Sequence, residues 1–362
     1  MPKVLITGAG GFVGHHFLEH ILTTTNWDVI CTDSFRHKGK TDRISEVLAN
    51  GPVREGSHYS YWHTRVQNIT HDLTAPFSQQ AIERMGEIDY IVAFASDSHV
   101  DRSISDPVPF VKNNVDVVLN TLELARKVKP KAFVLVSTDE VYGPVEAWDY
   151  EGHEEWAPIM PSNPYSASKA AQEAIAFSYW RTYGVPLVIV NCMNMIGERQ
   201  DAEKFVPLVL SKVLKGETVQ IHASDYTHIG TRHYLHSRNL ADGITFLLNN
   251  TTPAQFGAHL TATYARHGVP NRIANLPDRY NIASPDRIDN LTMAQMIADY
   301  AGKLLSYQFT DFHSTRPGHD PHYGLDSSKM DALGWTPPVP LDKSLEKTVR
   351  WTMQNMRWLL PD

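Results

Sequence analysis

The chain opens with Val4-Leu5-Ile6, an apolar run of strand length, and passes directly into Gly8-Ala9-Gly10-Gly11-Phe12-Val13-Gly14. No other stretch restricts the fold so far. Glycines spaced G-x-x-G-x-x-G allow a tight turn at Gly8, backbone approach to a pyrophosphate at Gly11, and close packing of a following helix on the strand at Gly14. The N-terminus of that helix offers unpaired N–H groups and the positive end of its dipole to phosphates. A glycine-rich turn without a ligand is the competing reading, and the flanks weigh against it. A second hydrophobic run, Asp28-Val29-Ile30-Cys31-Thr32, ends in Asp33. That carboxylate stands about 20 positions past the glycines, where it would hold the adenosine ribose hydroxyls. The pattern favours NAD over NADP, although Arg36 and Lys38 are near enough to accept a 2′-phosphate.

Strands and helices alternate through the first half, the pattern of an α/β protein with a Rossmann-type, doubly wound parallel sheet. Ile88 to Ala95, Ala132 to Ser137 and Val185 to Val190 read as strands buried on both faces. Pro107 to Val128 and Pro164 to Tyr183 read as amphipathic helices between them. Ligands of such a sheet bind outside the carboxyl ends of its strands. Three dense polar clusters fall there: Ser96-Asp97-Ser98-His99 with Asp101-Arg102, then Thr138-Asp139-Glu140, then Asn194. Beyond residue 191 the alternation decays, with helices expected near Lys204 to Leu214, Asn239 to Leu248 and Thr292 to Leu304. The expected division is a dinucleotide-binding domain over 1–191 and a smaller substrate domain over 192–362, with segments near 233–250 and 280–291 returning to the first.

Composition excludes several classes. With 362 residues, 42% apolar content and a formal charge of −7, the chain can build one large core with a subdomain or two cores. No basic stripe suggests nucleic acid. Cys31 and Cys192 lie in or beside expected strands and read as small buried residues. Among 18 histidines, none forms a convincing zinc spacing with a cysteine or another histidine. His15-His16 falls on the first helix, and His313, His319 and His322 share a Pro/Gly-rich loop, so no metal site is expected. No leader is read before the strand at residue 4, and no apolar run reaches membrane-spanning length. The expectation is a cytoplasmic protein.

Of 15 tyrosines, Tyr165 alone is followed four residues later by lysine, in Tyr165-Ser166-Ala167-Ser168-Lys169. Ser162-Asn163-Pro164 ahead of it can cap and start a helix, and residues four apart share a helix face. An ammonium beside a phenol favours the phenolate, which turns the pair into a general base near neutral pH. A solvated helix face is the bland alternative; the glycine turn and Asp33 argue against it.

Together Gly8/Gly11/Gly14, Asp33, the serine-rich strand end and Tyr165/Lys169 resemble the extended short-chain dehydrogenase/reductases that act on nucleotide sugars. Within them the chain is most similar to the nucleotide-sugar 4,6-dehydratase family. Ser98 to Ile104, Ser137 to Gly143, Pro164 to Glu173, Arg316 to Met330 and Leu333-Gly334-Trp335 carry the likeness, which spans nearly the whole sequence. The third position of Thr138-Asp139-Glu140 is its most specific element.

The resemblance implies NAD-dependent dehydration of a nucleoside-diphosphate hexose such as dTDP-glucose to a 4-keto-6-deoxy sugar. Tyr165, supported by Lys169, would take the 4-hydroxyl proton while Thr138 orients that hydroxyl. Glu140 would remove the carbon-5 proton and Asp139 would protonate the leaving 6-hydroxyl. NAD would lie against Gly8, Gly11, Phe12, Val13, Gly14, Asp33, Asp72, Leu73 and Ala95, and Ser98, Asn114, Asn194, Lys204, Arg232 and Arg316 would meet the substrate. A homodimer through the helices Pro107 to Val128 and Pro164 to Tyr183 is implied as well. Departures from the family pattern include Asp97 in place of glutamate, Asn191 where arginine is usual, Met195-Ile196 in place of a more polar pair, and about 20 extra residues between Gln255 and Tyr280. These leave the nucleotide open among thymidine, uridine, cytidine and guanosine diphosphates. A 4-epimerase or a uronate decarboxylase is the alternative within enzymes, and a non-catalytic NAD-binding protein the alternative outside them.

Overall fold

The structure is a computed structural model; it describes residues 1–53, 55–145, 152–155, 157–223, 229–250, 276–311 and 322–360. Arg316, His313, His319, residues 224–228 and most of the extra segment between Gln255 and Tyr280 lie outside the described residues. In chain order, the first elements are β1 (Lys3–Thr7), α1 (Phe12–Thr24), β2 (Asp28–Asp33), α2 (Thr41–Ala49), β3 (Val66–Thr70), α3 (Gln79–Met85), β4 (Tyr90–Ala93), α4 (Val100–Ser105), α5 (Pro107–Val128), β5 (Ala132–Thr138), α6 (Pro164–Tyr183) and β6 (Leu187–Cys192). They are followed by β7 (Met195–Ile196), α7 (Phe205–Lys215), β8 (Val219–His222), β9 (Thr231–His233), β10 (Leu235–His236), α8 (Ser237–Asn250), β11 (Asp278–Ile282), β12 (Arg287–Asp289), α9 (Asn290–Ala301), β13 (Tyr307–Thr310), α10 (Ser328–Ala332) and α11 (Leu341–Gln354).

The chain divides into two compact units. Unit 1 comprises Met1–Thr138, Pro164–Asn191 and Ala241–Tyr280; unit 2 comprises Asp139–Asn163, Cys192–Leu240 and Asn281–Asp362.

Unit 1 is built on a seven-stranded sheet in the order β11-β6-β5-β4-β1-β2-β3, the doubly wound arrangement expected from the sequence. Parallel pairing runs β3 to β2 to β1 to β4 to β5. Every residue of β5 is buried, as a strand covered on both faces requires. The strand order reverses between β1 and β4, so the crevice at their carboxyl ends opens beside the glycine turn. Leu5, Ile91, Phe133, Leu122 and Ile189 lie in one apolar core.

Two strand expectations need correction. Val185 and Pro186 precede β6 rather than begin it, because proline has no N–H for the ladder. Phe94 and Ala95 lie past β4; their N–H groups turn to the carbonyl and hydroxyl of Thr7, bringing the chain against Gly8. Helices α5 and α6 each start on proline at the expected residue, where the missing N–H is no loss.

Unit 2 has its own core, including Ile221, Met293, Ile297, Leu345 and Val349, walled by α7, α9 and α11. Its strands pair by twos: β7 with β10 and β8 with β13 in parallel, β9 with β12 antiparallel. Cys31 and Cys192 are both buried. Among the described residues, no helix is long and apolar enough to cross a membrane.

Candidate active site

In unit 1 the glycine turn is closed to side chains. A Cβ at Gly14 would lie 2.1 Å from the Gly8 carbonyl oxygen, one at Gly11 would lie 2.9 Å from the same atom, and one at Gly8, where φ is +70°, would lie 2.9 Å from the Ala95 backbone. Phe12 and Val13 form the first turn of α1, whose N-cap Gly11 offers no side chain to its N–H groups. The loop after β2 is fastened to this turn from two directions. Asp33 accepts the Gly10 N–H at 3.0 Å and the Phe35 N–H at 2.9 Å. Arg43, fully buried, donates to the carbonyls of Gly10 and Lys38 at 3.2 and 2.8 Å. Burial pushes the Asp33 carboxyl above its ordinary range, while the N–H groups of Phe35, Gly10 and Ser34 and the Arg43 guanidinium pull it back.

Gly8, Asp33, Asp72, Leu73 and Ala95 line one cavity. Arg36 reaches across it to Asp72 at 2.5 Å and to the Asn113 side chain at 3.0 Å. Its guanidinium is thereby engaged by a carboxylate, which accords with an unphosphorylated ribose. A glycine turn closed to side chains that leads into a helix N-terminus, with its Gly8 and a ribose-side carboxylate lining one cavity, fits an adenine dinucleotide.

On α6, Tyr165 lies in the first turn and is half-buried, its backbone N–H donating to Ser103 Oγ at 3.1 Å and its ring edge-on to Phe110. Lys169 is buried with its ammonium donating to the Val136 carbonyl at 2.8 Å and Gln172 Oε1 at 2.7 Å. That carbonyl lies two residues before Thr138, so the helix carrying Tyr165 is joined to the end of β5. Asn114 is fully buried; its amide bonds Asp97 N and O at 2.7 and 2.9 Å and Ser168 Oγ at 2.9 Å. It braces the end of β4 against α6, whereas Ser98 is exposed.

In unit 2, Asp139 and Glu140 start a single 3-10 turn, Asp139–Val141. Glu140 Oε2 accepts from Asn163 Nδ2 at 3.0 Å. Burial raises the Glu140 carboxyl to about 7, the negative Asp139 beside it adds to the rise, and Asn163, Arg232 and Lys204 oppose it. A carboxyl poised there can give or take a proton near neutral pH. Arg232 is buried, its guanidinium 4.6 Å above the Tyr323 ring, and Lys204 caps α7. Asn194 is exposed, with its carbonyl accepting from Leu235 N. Asp139, Glu140, Lys204 and Arg232 thus form one electrostatic neighbourhood, to which sequence reasoning did not add Asn163. The signal was present only as its place one residue ahead of a helix-starting proline.

The doubly wound sheet, the Tyr–Lys spacing on α6 and the adjacent carboxyls that follow β5 in the chain define a class. The chain belongs to the GDP-mannose 4,6 dehydratase family, whose model matches residues 5–348. It is 30% identical over 367 residues to the dTDP-glucose 4,6-dehydratase of Streptomyces antibioticus, covering 99% of this chain and 95% of that one. The dTDP-glucose 4,6-dehydratase of Salmonella typhimurium (strain LT2) is 29% identical over 380 residues, covering 99% and 94%. Among solved structures, DesIV, the dTDP-glucose 4,6-dehydratase of Streptomyces venezuelae with NAD and TYD bound, superposes with a TM-score of 0.79 at 28% identity, over 98% of each chain.

Proposed function

We propose that the protein is an NAD-dependent lyase that dehydrates a nucleoside-diphosphate hexose of the dTDP-glucose kind to the 4-keto-6-deoxy sugar. The observation that carries this reading is the adjacent pair Asp139-Glu140 at the end of β5, with the Glu140 carboxyl raised to about 7. Gly8, Gly11, Phe12, Val13, Gly14, Asp33, Asp72, Leu73 and Ala95 would hold NAD, which would supply hydride acceptance from sugar carbon 4 and its return to carbon 6. Tyr165 takes the 4-hydroxyl proton, its phenolate favoured by the Lys169 ammonium. Thr138 orients that hydroxyl. The 4-ketone acidifies carbon 5, Glu140 removes the proton there, and Asp139, protonated at this step, delivers a proton to the 6-hydroxyl, which leaves as water. Each proton removed has a named acceptor, and the carbon-5 proton is restored as the hydride returns.

Arg232, Lys204 and Arg316 suit the diphosphate and Asn194 the diphosphate or sugar; Arg316 lies outside the described residues. Positive charge from Arg232 and Lys204 next to Glu140 supports an anionic substrate at this place. Asn114, its amide engaged with Asp97 and Ser168, supports the site from behind, and Ser98 is exposed for contact. A cytoplasmic homodimer completes the reading. Its support is the packing of α5 on α6 with Val108, Leu119 and Tyr183 left partly or largely exposed.

The test is a panel of nucleoside-diphosphate hexoses read for the alkali-induced absorbance of a 4-keto-6-deoxy product. With the accepted substrate, deuterium placed at carbon 4 should reappear at carbon 6 and a solvent deuteron should enter carbon 5. Deuterium retained at carbon 4 would replace this reading with a 4-epimerase.

A further inference from the structure

Four polar side chains of unit 1 meet in its core, and the chemistry above uses none of them. Glu173, fully buried, sits on α6 one turn beyond Lys169. Its Oε1 accepts from Ser137 Oγ at 2.6 Å and from Asn191 Nδ2 at 3.2 Å, and its Oε2 accepts from Arg279 Nη2 at 2.5 Å. The same Asn191 Nδ2 donates to the Thr138 carbonyl at 3.0 Å. Ser137, Asn191 and Arg279 are all buried. One carboxylate therefore ties together α6, the last two residues of β5, β6 and β11.

Apolar side chains of similar volume can replace a buried ion pair, often with a gain in stability. What they cannot supply is direction. A carboxylate only accepts, so Ser137 and Asn191 must both donate to it, and the remaining Asn191 amide hydrogen is left for the Thr138 carbonyl. The peptide carrying Thr138 is thereby oriented relative to the helix carrying Tyr165 and Lys169. We propose that Glu173, with Arg279 as its counter-charge and Asn191 as its relay, is a positioning residue that sets Thr138 against Tyr165 and Lys169. The proposal rests on the roles assigned above to those three residues.

The charge paired with this carboxylate is Arg279 from β11; Lys169 stands one turn earlier on α6 with its ammonium on the Val136 carbonyl and Gln172, and β5 and β6 present the uncharged Ser137 and Asn191. Removing one partner leaves the other's charge on the Tyr165–Lys169 helix, and the two losses have opposite signs. Tyr165 ionisation can be followed by ultraviolet difference titration of each holoprotein against its Tyr165→Phe counterpart. Glu173→Gln should move it to lower pH by about one unit, the scale expected of a charge roughly 10 Å away at an effective dielectric constant near 20. Arg279→Met should move it to higher pH.

The double variant Glu173→Gln/Arg279→Met removes both charges at nearly constant volume and is the variant best suited to fold. It should titrate like the wild type yet lose about tenfold in kcat with KM little changed, because a glutamine amide no longer dictates the direction of Asn191. Asn191→Ala should show the same split. Full kcat in the double variant, or losses confined to Tm, would reduce the ion pair to a structural one and overturn the proposal. Normal turnover by Tyr165→Phe would instead overturn the assigned base, and the positioning role with it.

Discussion

Glu140 has to satisfy two opposed demands: it must be ionised to take the carbon-5 proton, and its surroundings resist ionisation. Its carboxyl is raised from 4.5 to about 7 by burial first and by Asp139 second. Between those values the folded chain binds a proton that the unfolded chain has released, so this residue's contribution to stability falls as pH rises through that window. Glu140→Gln should therefore hold or raise Tm at about pH 8 and lose that advantage below about pH 4.5, as thermal melts at the two pH values would show. The same substitution should lower turnover on the order of a hundredfold and abolish solvent deuterium entry at carbon 5. Normal exchange in the variant would remove Glu140 from the elimination. Asp33 offers a second single-residue test. Its carboxylate accepts two loop N–H groups and lines the cofactor cavity. Asp33→Ala should release the dinucleotide during purification, measured by mass spectrometry of the supernatant after denaturation; full retention of NAD would refute that role.

At the scale of elements, the contact of β1 with α1 depends on Gly14. A methyl group there would sit 2.1 Å from the Gly8 oxygen, and backbone on both sides leaves it nowhere to go. Gly14→Ala should cost about 1–3 kcal/mol in denaturant unfolding and empty the cofactor site; an unchanged midpoint would mean that α1 can shift. This turn was legible in the sequence because everything it needs lies within seven consecutive residues. So were α5 and α6, each announced by a proline at its first position and ended where Lys129 and Gly184 take positive φ. Strand ends were less legible: Val185 is as apolar as its successors, and only Pro186 marks the start of β6 one residue later. The site divides in the same way. Tyr165 and Lys169 are read from a spacing of four, and Asp139-Glu140 from adjacency. The partnership of Glu173 with Arg279 spans 106 positions and has no periodicity to betray it. Asn163 was likewise visible as a residue near a helix start, but not as the donor to Glu140.

For the whole molecule, assembly is the first question. On α5, Val108 is 75% exposed and Leu119 37% exposed, on the element that packs against α6. Light scattering at micromolar concentration should report a dimer, and Leu119→Lys should shift it toward monomer; a wild-type monomer would refute the assembly proposed for these helices. The interleaving of the two units has a consequence for biosynthesis. The sheet of unit 1 is finished by β11, which follows β6 only after all of β7 to β10 has been made. Until residues 278–282 leave the ribosome, β6 is an open edge, and Glu173 waits without the guanidinium that balances it. An unpaired strand beside an uncompensated buried acid is a place where nascent chains collect or call for chaperones. A chain stopped before β11 should therefore accumulate as aggregate, and the last strand of the sheet would govern how much usable protein a cell obtains from each round of translation.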